Sequence, residues 1–175
     1  MKKYFLFILI ACFSCSDQQD SNNEKNTPIE PISSIKQAHI YRSTNAEVDI
    51  EILAPLINNF TGDSAKMEFP QGVKAIFFND DMTIKSVLTA GYAIKKQATN
   101  ELLLEQNVRI VSYKNEDTIY CEDLIWQDNT KRIYTNKPIR RHSKTGTDYG
   151  EGLEANETMD SVVIVRPRGH QVVEE

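Results

Sequence analysis

From Ala46 onward the hydropathy of the chain alternates with a period of two. Val48, Ile50, Ile52 and Ala54 fall on one face of an extended segment, and Glu47, Asp49 and Glu51 on the other. Met82, Ile84, Ser86, Leu88, Ala90, Tyr92 and Ile94 continue the pattern over one long stretch. Successive side chains of a strand point to opposite faces, so this is the period of half-buried β-structure. Further strand-like runs are Val73–Phe78, Leu102–Leu104, Val108–Tyr113, Thr118–Trp126, Arg132–Thr135 and Ser161–Val165. Turn-forming residues separate them: Asn79-Asp80-Asp81, Thr99-Asn100, Lys114 to Asp117, Gln127-Asp128-Asn129 and Lys144-Thr145-Gly146. No long segment keeps apolar residues at i, i+3, i+4 and i+7, which excludes a helical domain. The expected class is all-β, built from many short antiparallel strands.

The strands also carry a weak repeat. Ile52-Leu53-Ala54, Val87 to Ala90, Asp123 to Trp126 and Gly152 to Ala155 are related steps, each followed by another strand. A recurring strand–turn–strand unit stacks in one direction and buries its apolar face on its neighbours. The expected result is an open, elongated sheet pair with exposed end strands.

Ahead of the alternating region the chain changes character twice. Lys2 and Lys3 precede an uncharged apolar run from Tyr4 to Ser14, the pattern of a secretory signal and too short to span a bilayer. Cysteines at its end mark a lipoprotein signal, in which the cysteine becomes lipidated and starts the mature chain. Leu9-Ile10-Ala11-Cys12 fits the lipobox pattern better; Cys15 leaves a longer apolar run and an immediately polar mature chain. Cys15 is favoured, with Cys12 the alternative. Asp17 to about Ser34 is rich in Gln, Asn, Asp, Ser and Glu, with Pro28 and Pro31, and offers little to bury. The expected organisation is a signal peptide over 1–14, a lipidated terminus and disordered tether over 15–34, a β-domain over 35–170 and a tail over 171–175.

Composition narrows the function. A formal charge of −5 and a pI near 5.3 argue against nucleic-acid binding. Only Cys121 lies beyond the signal region, so an internal disulfide and a cysteine zinc cluster are excluded; it reads as a small buried hydrophobe. There is no G-x-S-x-G elbow, no H-E-x-x-H and no phosphate-binding glycine loop. His39, His142 and His170 are isolated. Asp80–Asp81 and Glu122–Asp123 are adjacent carboxylates, but neighbours on a strand face opposite sides. The chain reads as a non-enzyme with neither cofactor nor metal. A basic cluster, Lys131, Arg132, Lys137, Arg140, Arg141 and Lys144, is either a solvated strand edge or a contact for phosphates.

An ordered series of segments resembles the LptC family: Glu68 to Val73, Ser86 to Ala93, Asn107 to Ile110, Thr118 to Trp126 and Gly150 to Asn156. No one of them is specific alone; their order over roughly Ala46 to Gly169 carries the resemblance. The resemblance implies an OstA-like open β-jelly roll whose interior accepts acyl chains, acting in lipopolysaccharide export. It implies as partners lipopolysaccharide, the permease and ATPase complex of the ABC transporter, and a periplasmic bridge protein with a related jelly roll. The permease would meet the N-terminal end of the sheet and the bridge protein the C-terminal end. Known members carry an N-terminal transmembrane helix, whereas this chain shows a lipoprotein signal, so a role of that helix is not carried over. The expected location is the periplasm, lipid-anchored to the inner membrane; the alternative is the outer membrane or cell surface.

Ile84, Leu88, Tyr92, Val108, Ile110, Leu124 and Trp126 are then the candidates for a lipid-accepting groove, with Ser86, Ala90 and Ser112 leaving space beside them. Against this stands a filled sandwich core. Val162, Val163, Ile164 and Val165, ended by Arg166-Pro167, form the candidate partner-binding edge. The competing class is a glycan-binding or protein-binding β-sandwich lipoprotein.

Overall fold

Each Asn, Asp or Gly turn reverses the chain, and the strands between turns pair in order. At the Asn79 turn, Asn79 N–H donates to the Thr83 carbonyl at 2.9 Å and the Asp81 carboxylate accepts from the Thr83 N–H at 3.0 Å. The computed structural model describes residues 30–62 and 65–168. Among these the strands are β1 (Ser33–Thr44), β2 (Glu47–Phe60), β3 (Lys66–Phe69), β4 (Val73–Phe78), β5 (Ile84–Ala90) and β6 (Tyr92–Lys96). They continue as β7 (Glu101–Ser112), β8 (Asp117–Gln127), β9 (Arg132–Ser143), β10 (Gly146–Asn156), β11 (Val162–Ile164) and β12 (Pro167–Arg168). All pairings are antiparallel, and β3–β4, β5–β6 and β11–β12 each act as one interrupted strand.

The meander is folded in half along a line of irregularities that crosses every strand. On β1 and β2 the pairing skips Gln37 and Pro55; between β3 and β4 lie Pro70 to Gly72; between β5 and β6 lies Gly91. The register then shifts between Glu105 and Val108, between Cys121 and Ile125, and between Glu151 and Leu153. A bulge adds a residue to one strand, bends it and increases its twist. Repeated in line, bulges crease the sheet into two half-sheets. Gly72 is required at the crease: its φ is 87°, and a Cβ there would stand 2.6 Å from the Ala90 carbonyl oxygen.

The half-sheets close on one another. Phe77 from one and Trp126 from the other meet with ring centroids 5.4 Å apart. A single apolar core draws Ile50, Phe77, Leu88, Ile110 and Ile119 from the first half and Leu102, Leu104, Leu124, Trp126 and Ile133 from the second. Among the described residues β1 and β11 have one strand partner each, so the sandwich is open at both ends rather than a closed barrel. The all-β class is as expected from the alternation, and the open sheet is consistent with the jelly roll that the family resemblance implies.

Two local expectations are corrected. The run from Met82 to Ile94 is not one strand with one inner face: Ser86, Leu88 and Ala90 are buried, but after Gly91 the phase inverts and Ala93 is buried instead. Residues 102–104 and 108–112 are parts of one long β7, joined through the bulge at Gln106-Asn107, and Tyr113 lies in the turn that follows. β1 carries no strong alternation because most of its side chains are exposed. It begins at Ser33, inside the stretch expected as tether.

Candidate functional site

Near β1 the two half-sheets do not meet fully. Between them lies a cavity of about 330 Å³, walled by Ile50, Ile52, Phe69, Ala75, Leu88 and Leu104 and floored by Trp126. This volume falls at the lower end of the roughly 300–1,000 Å³ usual for ligand sites. Small Ala75 faces Leu88 across the β4–β5 pair and Ile52 across the β2–β4 pair, which leaves the space unfilled. Arg42, Lys95, Asn100 and Asp128 form its polar rim. The arrangement suits an apolar guest with a polar head at the mouth.

The rim is also a clasp between the half-sheets. Arg42 on β1 reaches Asp49 at 2.9 Å, Glu157 at 2.7 Å and Asp128 at 3.2 Å. Glu157 also accepts from the Trp126 indole N–H at 3.2 Å and is itself buried. Burial pushes the Asp128 carboxyl up, but the hydrogen bond and charge of Lys131, with the charges of Lys95 and Arg42, outweigh it and hold it below its ordinary range. Asp49 is likewise lowered, burial being overcome by hydrogen bonds from Arg42 and Thr44. A second clasp lies along the same seam: Asp160 meets Lys85 at 2.7 Å and Lys114 at 2.9 Å. The Lys85 hydrogen bond drives the Asp160 carboxyl well below its usual range, against burial and with help from Lys114 and Thr158.

Of the groove candidates, Leu88 and Trp126 line the cavity. Val108, Ile110 and Leu124 are fully buried on the inner faces but belong to the packed core beyond it. Ile84 stands at the start of β5 and is 43% exposed. Tyr92 follows the crease and faces outward, where its hydroxyl donates to the Glu68 carboxylate; burial and that hydrogen bond raise its pKa to about 12. Ser86, Ala90 and Ser112 are buried without lining the cavity. Sequence reasoning missed Ile40, Arg42, Met67, Phe69 and Ala75. Their signal was available only in part, because it required knowing where the crease inverts the faces.

The remaining candidates disperse. Lys131, Arg132, Arg141 and Lys144 of the basic cluster are bonded to carboxylates: Asp128, Glu154, Asp117 and Glu116 respectively. Asp81 serves its turn and Asp123 accepts from Thr135. His39 and His142 lie apart, beside Glu51 and Thr147. Burial raises the Cys121 thiol to about 12. Val162 and Ile164 pack against the core while Val163 is 57% exposed, and the outer side of β11 has no strand beside it among the described residues. Cys12, Cys15 and His170 lie outside the described residues.

A family model described as "Lipopolysaccharide-assembly, LptC-related" matches residues 4–166. No curated protein matches the chain.

Proposed function

Because this chain belongs to the LptC family, whose members are periplasmic components of lipopolysaccharide transport tied to the inner membrane, we propose that its creased sandwich is an acyl-chain carrier. It accepts glycolipid from the ABC transporter and passes it to a bridge protein. The observation that supports this is the apolar cavity between the half-sheets, with a charged rim beside it. Each methylene moved from water into such a space contributes about 0.8 kcal/mol. The energy for repeated loading comes from the partner ATPase.

The test is a photo-crosslinking residue at Leu88, which faces the cavity, compared with one at Lys36, which is exposed on β1. Lipopolysaccharide should be captured from Leu88 and not from Lys36 in the working transporter. Equal capture from both positions would sink the carrier reading.

Transfer to the bridge protein runs through β11. Its open side offers unpaired backbone groups, and strand addition supplies affinity through main-chain hydrogen bonds. Val163 sits in the hydrogen-bonded pair with Glu154, so the N–H groups of Val162 and Ile164 face that open side. Substituting Val162→Pro removes one of these donors, and should weaken pull-down of the bridge protein by about tenfold or more. Thermal unfolding of the same variant should change little, because β11 pairs over only Leu153 to Ala155. Full binding by a folded variant would rule this edge out.

Anchoring is assigned to a lipid on Cys15, with Cys12 as the alternative. Metabolic labelling with a radioactive fatty acid should disappear in Cys15→Ala and persist in Cys12→Ala; the opposite pattern moves the anchor to Cys12.

A further inference from the structure

Arginines in this acidic chain are used almost entirely for carboxylates. Arg42, Arg132, Arg141, Arg166 and Arg168 each have one within 4.0 Å. Arg109 and Arg140 have none among the described residues, and the two stand in one cross-strand row on the outer face. Register pairs Arg109 with Tyr120, Tyr120 with Arg140, and Arg140 with Tyr149. The Arg140 guanidinium lies over the Tyr120 ring, 4.8 Å from its centre. Tyr149 beyond it is 51% exposed. At this end of the row the crease opens a shallow recess of about 410 Å³, walled by Asn107, Tyr120, Pro138, Arg140 and Tyr149, with Glu122 its one carboxylate. The two guanidinium positions are two strand spacings apart, about 10 Å. Lys74, across Thr89 from Arg109, extends the row. However, a twist of roughly 20–25° per strand turns Lys74 away from Arg140, so a flat surface reaches chiefly the Arg109–Tyr149 stretch.

We propose that this outer row, Arg109–Tyr120–Arg140–Tyr149, is a docking face for the phosphate headgroups of an anionic bilayer. Charge complementarity selects the occupant: two guanidinium groups without carboxylate partners, on a chain of net charge −5, present forks that match phosphate oxygens. The tyrosines between them have the apolar body and polar tip that settle at a membrane interface. The proposal rests on the family's tie to the inner membrane and adds an orientation to it. With the outer face of β7–β10 on the headgroups, β1 and β11 remain free at the two ends of the sheet.

The chain has a single tryptophan, Trp126, which serves as donor to a dansyl-labelled headgroup lipid. The full chain is placed with vesicles of phosphatidylcholine alone, or of equal parts phosphatidylcholine and phosphatidylglycerol. Energy transfer should be stronger in the anionic vesicles, and raising the salt should abolish the difference. Each arginine is expected to favour the docked state by about fivefold. Arg109→Gln/Arg140→Gln should therefore reduce the docked-to-undocked ratio by about 25-fold with melting unchanged. Lys36→Gln/Lys96→Gln, which removes two cations on β1 and β6 that have no carboxylate partner among the described residues, should leave the difference in place. Equal transfer in both vesicle types, or an equal loss in the two double variants, overturns the proposal. Capture of lipopolysaccharide from Leu88 is read separately, so failure of docking and failure of the carrier reading are distinguishable.

Discussion

Replacing Arg42 with Met should lower the stability of the domain by about 2–4 kcal/mol, a little under the roughly 3–5 kcal/mol for removing one partner of a buried ion pair, because the Arg42 side chain is 26% exposed. For a domain of this size that is a fall in melting temperature of roughly 10 °C. The methionine keeps most of the side-chain length, so the loss reports charge rather than packing. It leaves Glu157, only 9% exposed, with the Trp126 indole and a distant Lys131 at 3.8 Å. Glu157→Gln should cost less, because the amide oxygen still accepts from Trp126 and no charge remains buried. Acid adds an independent reading. Asp49 and Asp128 are both held below their ordinary values in the folded protein. Groups lowered on folding contribute stability above the unfolded carboxyl pKa of about 3.9, and lose it as the pH falls through the folded value. The natural chain should thus lose stability steadily below about pH 5. The Arg42→Met profile should be shallower, since Arg42 is among the groups that lower both carboxyls; Lys95 and Lys131 still face Asp128. Melting curves across that range settle it: an unchanged midpoint at neutral pH would mean that the Arg42 clasp adds nothing to what holds the half-sheets together.

Much of this architecture was legible in the residues. The period-two alternation of Val48 to Ala54, and the turn residues between runs, indicate sequential antiparallel strands without further information. What alternation cannot show is the crease. A bulge inverts the inner and outer faces of everything that follows it on the strand. Tyr92 continues the pattern of Leu88 in sequence but lies outside in space, because Gly91 intervenes. The basic cluster was misleading for a related reason. Lys131, Arg132, Arg141 and Lys144 lie close together along the chain, yet in the fold each is bonded to a carboxylate. The two guanidinium groups without a carboxylate partner among the described residues, Arg109 and Arg140, are distant in sequence but stand in one cross-strand row, with Tyr120 between them. Arg42 was invisible because its carboxylates come from three places: the start of β2, the β8–β9 turn and the residue after β10. Edge strand β1 carries too little buried surface to announce itself.

Filling the cavity should separate transport from stability. Ala75 is buried, lines the space and stands opposite Leu88 and Ile52 on neighbouring strands. Substituting Ala75→Leu introduces three carbon atoms where an acyl chain would lie. Displacing about three methylenes removes roughly 2.4 kcal/mol of transfer energy. That corresponds to a loss of about 50-fold in lipid affinity. Capture of lipopolysaccharide by a photo-crosslinker at Leu88 should fall accordingly. The stability of the isolated chain carries the opposite expectation. In a tightly filled core, added methylenes force neighbours off their rotamers and cost about 1–3 kcal/mol. In a space of about 330 Å³ the leucine has room, and the melting temperature should hold or rise slightly. Val108→Phe, in the packed core beyond the cavity, supplies the contrast and should destabilise the domain strongly. A variant at Ala75 that melts early yet still captures lipid would show that the space is closed core and that glycolipid travels elsewhere. Unimpaired melting with lost capture assigns the path to the cavity between the half-sheets.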